Sequence, residues 1–161
     1  MKIEFVPIGV IRTPHTSLAG MPIQPAGAAG IKGRVEVLPE YAEGLRDLDG
    51  FSHIVLLYHF HRSAGFRLTV VPFLDTVPRG LFATRAPHRP NGIGLSVVRL
   101  LRVEGAVLEI ENVDILDNTP LLDIKPYVPE FDVQAGVRCG WLEKAAAAVV
   151  RHRADDRFRE P

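Results

Sequence analysis

The chain has 161 residues, 47% of them apolar, a length that supports one domain with a substantial core and argues against two independent ones. Its 19 basic and 19 acidic residues cancel, which excludes a global electrostatic drive toward nucleic acid and leaves any polyanion binding to a local patch. A single cysteine, Cys139, excludes an internal disulfide or a thiolate-rich zinc site, and no apolar run is long enough to cross a bilayer, so a cytoplasmic protein without membrane partners is expected.

In chain order, short runs of β-branched and aromatic residues punctuated by Gly and Pro predict strands over residues 5–12, 34–38, 53–61, 80–84, 96–103 and 107–114. The fold class read from this is mainly β, with a few short helices. Residues 19–33 are rich in Gly, Ala and Pro and predict an irregular loop, followed by a short helix over 39–48. Glu104-Gly105 would close a hairpin between the last two strands. Within the final strand, Leu108 and Ile110 share one phase while Val113 and Ile115 share the other, so a one-residue slip near Asn112 predicts a bulge. A C-terminal helix is predicted over 141–152, with Trp141, Ala145 and Val149 on one face. The cluster Arg151-His152-Arg153 near its end either complements the helix dipole or contacts RNA.

His53, His59 and His61 share one strand face, opposite Ile54, Tyr58 and Phe60. A His-x-His pair on a strand suits zinc, but no third ligand is local, so no metal is expected and His61 reads as a ligand-facing or half-buried histidine. No Walker-type loop is present. Gly92-Ile93-Gly94 lacks the third glycine of a dinucleotide fingerprint, and Ser96 lies in a strand rather than at a nucleophile elbow.

Two polar loops stand out. Phe82-Ala83-Thr84-Arg85-Ala86-Pro87-His88-Arg89-Pro90-Asn91-Gly92-Ile93-Gly94 reads either as a hairpin turned at Asn91-Gly92 or as a loop whose prolines hold Arg85, His88 and Arg89 toward a ligand. The second, from Asp117 to Pro129, mixes Asp123, Lys125 and Tyr127 with three prolines. From the residues alone, this is a β-rich domain with a small-molecule site.

Arg85, Arg89-Pro90-Asn91, Ile93-Gly94 and the string Thr119-Pro120 with Asp123-Ile124-Lys125-Pro126-Tyr127 resemble the TsaA family, also called the YaeB or TrmO family. The likeness extends through Ile8-Gly9-Val10-Ile11-Arg12-Thr13-Pro14, Phe51-Ser52-His53 and Phe60-His61, and so spans nearly the whole chain. It departs at Gly92, where the family has proline, and at Asn118, where it has glycine. Asparagine tolerates positive φ, which keeps the second turn, whereas Gly92 makes the first loop more flexible.

The resemblance implies a single TsaA-like domain over 1–161, a compact single-sheet β-barrel with residues 133–161 as a C-terminal helical tail, working as a homodimer with its cofactor near the subunit interface. It implies an S-adenosylmethionine-dependent N-methyltransferase acting on N6-threonylcarbamoyladenosine beside the tRNA anticodon. The alternatives are a small-molecule acceptor on the same fold, or a non-catalytic module that binds S-adenosylmethionine or RNA. Carried over by position, the cofactor residues are Gln24, Pro25, Ala26, His61, Arg62, Arg85, Leu95, Glu111, Asn112, Val113 and Asp114. Arg85 would pair with the methionyl carboxylate, Asp114 or Glu111 would accept hydrogen bonds from ribose hydroxyls or the amino group, and Leu95 and Val113 would pack on adenine. The catalytic set is Asp123, Lys125, Tyr127 and Arg89. Asp123, Tyr127 or a histidine would accept the acceptor's proton, while Lys125 and Arg89 would hold substrate carboxylate or phosphate. The competing reading of Asp123 and Lys125 is a surface ion pair.

Overall fold

In the computed structural model, which describes residues 2–143 and 145–158, the chain is a closed antiparallel barrel. Its elements are β1 (Gly9–Arg12), β2 (Lys32–Val37), β3 (His53–His59), β6 (Ile93–Glu104), β7 (Val107–Glu111) and β8 (Thr119–Pro126), with a separate two-stranded ribbon of β4 (Thr69–Val70) and β5 (Arg79–Gly80). Around the barrel the order is β1, β2, β7, β6, β3, β8, and β8 closes onto β1. Closure leaves these strands no unpaired edge. One short α-helix, α1 (Pro129–Asp132), follows β8.

Alternation produces the core. Ile54, Leu56 and Tyr58 from β3, Val98 and Leu100 from β6, Leu108 and Ile110 from β7, Ile11, Val35 and Leu121 all point inward and are buried. Leu45 and Leu48, from the 3-10 turns after β2, join them. The phase slip expected near Asn112 is real, since Leu108, Ile110, Val113 and Ile115 are all buried. Its cause is a left-handed residue at the strand end, Asn112 at φ 68°, while the bulge in the β6–β7 ladder lies on β6, between Leu100 and Arg102. Asn118 is likewise left-handed at φ 61°, and Gly105 at φ 59° turns the β6–β7 hairpin.

Several expectations differ from the structure. Residues 80–84 form mostly a 3-10 turn, Leu81–Ala83, not a strand. The segment read as a second loop is largely strand: Thr119–Pro126 is β8, in which Pro120 stands opposite Val10 of β1 and Pro126 opposite Ile54 of β3. Arg85 to Gly92 is no hairpin, because the strand before it pairs with β4 while β6 pairs with β3, and Gly92 is not in the left-handed region.

The described part of the expected C-terminal helix and tail takes the form of short 3-10 turns, Gly140–Leu142, Ala146–Val150 and Asp156–Phe158, and residue 144 and the last three residues of the expected tail lie outside the described residues. The backbone of this segment lies on Gly27, where a Cβ would come within 3.2 Å of the Val149 carbonyl. Arg153 bridges to Pro22, and its guanidinium donates to the carbonyls of Val150 and His152.

Gly94 has a packing role. A Cβ there would fall 2.2 Å from the Tyr58 ring, which lies flat across β6. At Gly92 the nearest atom to such a Cβ is 3.5 Å away, an ordinary contact. Gly94→Ala should therefore cost about 1–3 kcal/mol in equilibrium denaturation, the range of core overpacking, whereas Gly92→Ala should stay within about 0.5 kcal/mol. Equal effects at the two positions would refute this account of Gly94.

Candidate functional site

A cavity of about 340 Å³ opens beside the barrel, between the ends of β3 and β6, the segment after β7, the loop before β2 and the chain terminus. That volume suits a cofactor-sized ligand. Its lining is mainly apolar, from Leu18, Met21, Ile23, Phe60, Phe73, Leu95, Ile115, Leu116 and Phe158, with a few polar groups placed among them.

The polar groups form an ordered chain. The buried Tyr58 hydroxyl lies 3.0 Å from Ser96 Oγ, which itself donates to Asp114 Oδ1 at 2.6 Å, so the phenol proton points to Ser96. Burial pushes the Asp114 carboxyl up to about 6 despite the Ser96 hydrogen bond and the Arg85 charge. Burial, and then Asp114, pushes the Tyr58 phenol up as well, so it stays protonated. Arg85, exposed at the rim, donates to Gln24 Oε1 at 3.0 Å. The His61 ring nitrogen Nδ1 is 3.4 Å from Thr119 Oγ1, whose own proton goes to the Leu116 carbonyl at 2.7 Å. Desolvation, then Arg62 and His59, holds His61 below the usual histidine range, so it is neutral at pH 7. A second, more polar hollow shares His61, Arg62, Leu18 and Leu116 and adds Thr16, Ser17, Asp117 and Asn118.

The structure thus brings Gln24, His61, Arg62, Arg85, Arg89, Leu95 and Asp114 to one cavity. Pro25 and Ala26 do not line it; they start the 3-10 turn that carries Gln24. Glu111, Asn112 and Val113 do not line it either. Glu111 pairs with Arg99 at 3.2 Å, the Asn112 side chain accepts from the Gly30 amide, and Val113 is fully buried in the barrel, so the stretch positions Asp114.

Asp123, Lys125 and Tyr127 lie apart from the cavity lining. Asp123 and Lys125 form an exposed ion pair at 2.7 Å, and Tyr127 meets His53 edge-on. Arg89 reaches the cavity while its guanidinium donates to the Thr84 and Ala86 carbonyls. Among the described residues, no three His, Cys, Asp or Glu side chains group as a metal site, and no helix is long and apolar enough to cross a membrane.

The sequence did not single out Tyr58 or Ser96 for this site, although a serine at a buried strand position beside Gly94 is a legible signal. Nor did it single out the C-terminal strap. Gly20 N donates to the Ala154 carbonyl and Ala154 N to the Met21 carbonyl, each at 2.8 Å, so the strap runs along the loop before β2. Arg157 donates to the Pro72 carbonyl at 2.7 Å and lies over the Phe73 ring. Phe158 is buried edge-on to Phe73 and His88, and Ala154, Asp155 and Phe158 wall the cavity.

The family profile for the tRNA-methyltransferase O N-terminal domain matches residues 10–133. The chain belongs to the TrmO family. A probable S-adenosyl-L-methionine-binding protein of Pyrococcus abyssi is 54% identical over 98% of this chain and 86% of its own length. The tRNA (adenine(37)-N6)-methyltransferase of Escherichia coli is 35% identical over 91% of this chain and 67% of its own length. A crystal structure of TrmO from Pseudomonas aeruginosa, 42% identical, superposes with a TM-score of 0.74 over 88% of this chain and 63% of that one. Coverage falls further for some relatives, to 39% of one from Archaeoglobus fulgidus. The strap lies beyond the stretch matched by the family profile.

The Asp114 environment predicts a pH dependence. The raised carboxyl binds its proton more tightly folded than unfolded, so this group's contribution to stability is present below the ordinary carboxylate pKa and is lost as pH rises through about 6. A ligand that donates hydrogen bonds to Asp114 favours the ionised form, so its affinity should rise over the same window. Titration calorimetry with S-adenosylmethionine from pH 5 to 7.5 should show that rise, flattened in Asp114→Asn; a slope that persists in the variant assigns it to another group, His61 first.

Proposed function

We propose that this chain is an S-adenosylmethionine-dependent methyltransferase acting on adenosine in tRNA, with N6-threonylcarbamoyladenosine beside the anticodon as acceptor. The observation that carries the reading is the convergence of Arg85, Asp114 and an apolar wall on one cofactor-sized cavity in a TrmO-family chain. The E. coli and mouse relatives named tRNA (adenine(37)-N6)-methyltransferase support the tRNA acceptor.

The donor set fits the group. Arg85, already oriented by Gln24, would hold a carboxylate, and Asp114 would accept from hydroxyl or amino groups of the ligand. Leu95 and Phe60 offer apolar faces, and His61, neutral at pH 7, adds no repulsion toward a cationic ligand. When bound, the cofactor supplies an electrophilic methyl on a sulfonium. The protein's task is to align the acceptor nitrogen with that carbon and keep water out, which the apolar walls accomplish.

The acceptor's proton must also leave, and Asp123, Tyr127 or a nearby histidine would accept it in a homodimer, while Lys125 would hold substrate carboxylate or phosphate. The pairing register sets Asp123 opposite Leu57 and Lys125 opposite Val55, while Leu57 and Val55 pair with Leu95 and Val97 on the other side. These alternating positions make one outward face, apolar through Leu57, Leu95 and Ile93, that carries the Asp123–Lys125 pair beside the cavity rim. A second copy laid over this face would bring its own Asp123 and Tyr127 to the first copy's cavity.

Purified protein with labelled S-adenosylmethionine should methylate tRNA from a strain lacking the enzyme, with the label in threonylcarbamoyladenosine; no transfer to any tRNA would sink the reading. Activity should fall with added salt if RNA is the acceptor, whereas turnover on a small acceptor alone would favour the small-molecule alternative. Binding without turnover on any acceptor would favour the non-catalytic module.

Asp123→Asn and Arg85→Ala should each be inactive alone. Mixed under conditions that exchange subunits, they should recover about a quarter of the wild-type rate, since half of the dimers then hold one intact site. Absence of any recovery would place both residues in the same subunit's site.

A further inference from the structure

A second apolar groove lies behind one wall of the cofactor cavity. It is lined by Phe82, Trp141, Leu142, Leu74 and Val149, and it shares Gln24, Arg85, Phe73 and Phe158 with that cavity. Its volume is about 480 Å³.

Its aromatic residues are unusually placed. Phe82 is 75% exposed, although the adjoining Leu81 is buried and available cover is close by. Trp141 is held by its indole N–H, which donates to the Ala83 carbonyl at 2.8 Å, so its ring is fixed beside the Phe82 loop. Cations sit over both rings: the Arg89 guanidinium lies 5.8 Å from the Phe82 centroid and the Arg79 guanidinium 5.6 Å from that of Trp141. Those guanidiniums are themselves anchored, Arg89 on the Thr84 and Ala86 carbonyls and Arg79 on Asp75 at 2.7 Å. Presentation of rigid aromatic faces among positioned cations is the composition that takes an unstacked nucleobase with its phosphate, because every base has a π-face and the guanidiniums meet the backbone charge.

We propose that this groove binds an unpaired base of the RNA next to the methylated adenosine, with Phe82 as the stacking platform and Trp141 as its flank. The inference rests on the tRNA reading of the main cavity and adds a binding determinant outside it. The shared wall at Arg85 puts the groove beside the cofactor cavity, so a strand whose target base enters the cavity has its neighbour within reach of Phe82. Single-stranded loops are where such splayed bases occur.

The test compares Phe82→Ala, Phe82→Leu and Phe82→Tyr in the full chain, with S-adenosylmethionine calorimetry, tRNA affinity by fluorescence anisotropy and steady-state methylation measured on each. Phe82→Ala should weaken tRNA binding about tenfold, raising KM with kcat and cofactor affinity little changed. Phe82→Leu should behave like the alanine variant, because it keeps apolar bulk without a π-face, and Phe82→Tyr should restore binding. The slope of log affinity against log salt should be the same in all of them, since a neutral ring releases no counterions. A tRNA KM unchanged in Phe82→Ala, or full function in Phe82→Leu, overturns the proposal. So does a shift from dimer to monomer in sedimentation that accounts for the loss, which would make Phe82 a subunit contact. Failure of the wild-type protein to bind or methylate tRNA would be a different result, one that removes the functional reading itself.

Discussion

The close passage of the Tyr58 ring over Gly94 is the contact on which the site depends. A phenol at an inward position of β3 would ordinarily fill the barrel and leave its hydroxyl without a partner, a costly arrangement for a buried polar group. Because β6 has no side chain at Gly94, the ring lies across that strand and its hydroxyl arrives at Ser96 two residues further along. Ser96 then spends its proton on Asp114. A single missing Cβ thereby links core packing to the state of Asp114, a carboxylate that lines the cavity.

Backbone conformation completes what this polar chain begins. Asn112 and Asn118, both left-handed, bracket the segment that supplies Asp114, Ile115 and Leu116 to the cavity. The first turns the chain out of β7 while keeping Val113 and Ile115 in the apolar core, and its side chain ties the turn to Gly30. The second is held through Asp117, whose carboxylate accepts from the Asn118 amide at 2.7 Å and from the Thr13 amide at 3.0 Å. Asparagine suits both places because its short polar side chain lowers the cost of positive φ. The segment can therefore leave the hydrogen-bonded ladder without leaving the core.

Period-2 alternation made much of the barrel legible in the sequence. The phases of Ile54, Leu56 and Tyr58, of Leu108 and Ile110, and the slip at Asn112 could all be read from residue order, because a strand that is half buried must alternate. The β8 strand was not legible, since Pro120, Pro126 and the charges at Asp123 and Lys125 resemble loop chemistry; its place follows from closure against β1, a long-range constraint. The Asn91-Gly92 step carried a hairpin signal that tertiary pairing overrode. For the site, residues tied to motifs, such as Arg85 and Asp114, were visible through the family likeness. Phe158 was not, because its burial depends on a strap that pairs with the loop before β2, and nothing local in Asp156-Arg157-Phe158 encodes that return.

Neutral overall charge is compatible with the proposed polyanionic substrate because the cations near the cavity are arranged rather than numerous. Arg89 is fixed by carbonyl acceptors and Arg85 by Gln24, so each presents its charge from a restricted position. A held guanidinium loses less side-chain entropy on meeting a phosphate or carboxylate than a free one does. Elsewhere the charges are paired across strands, as in Arg99 with Glu111 and Arg102 with Glu109, and such surface pairs contribute little to stability while cancelling the field over the rest of the barrel. The result is a local positive rim around an apolar cavity on a chain with no net charge. Such a rim attracts an anion only at close range, within about a Debye length of 8–10 Å at ordinary ionic strength, and favours short segments that enter the cavity over long duplex surfaces that would need a broad basic face.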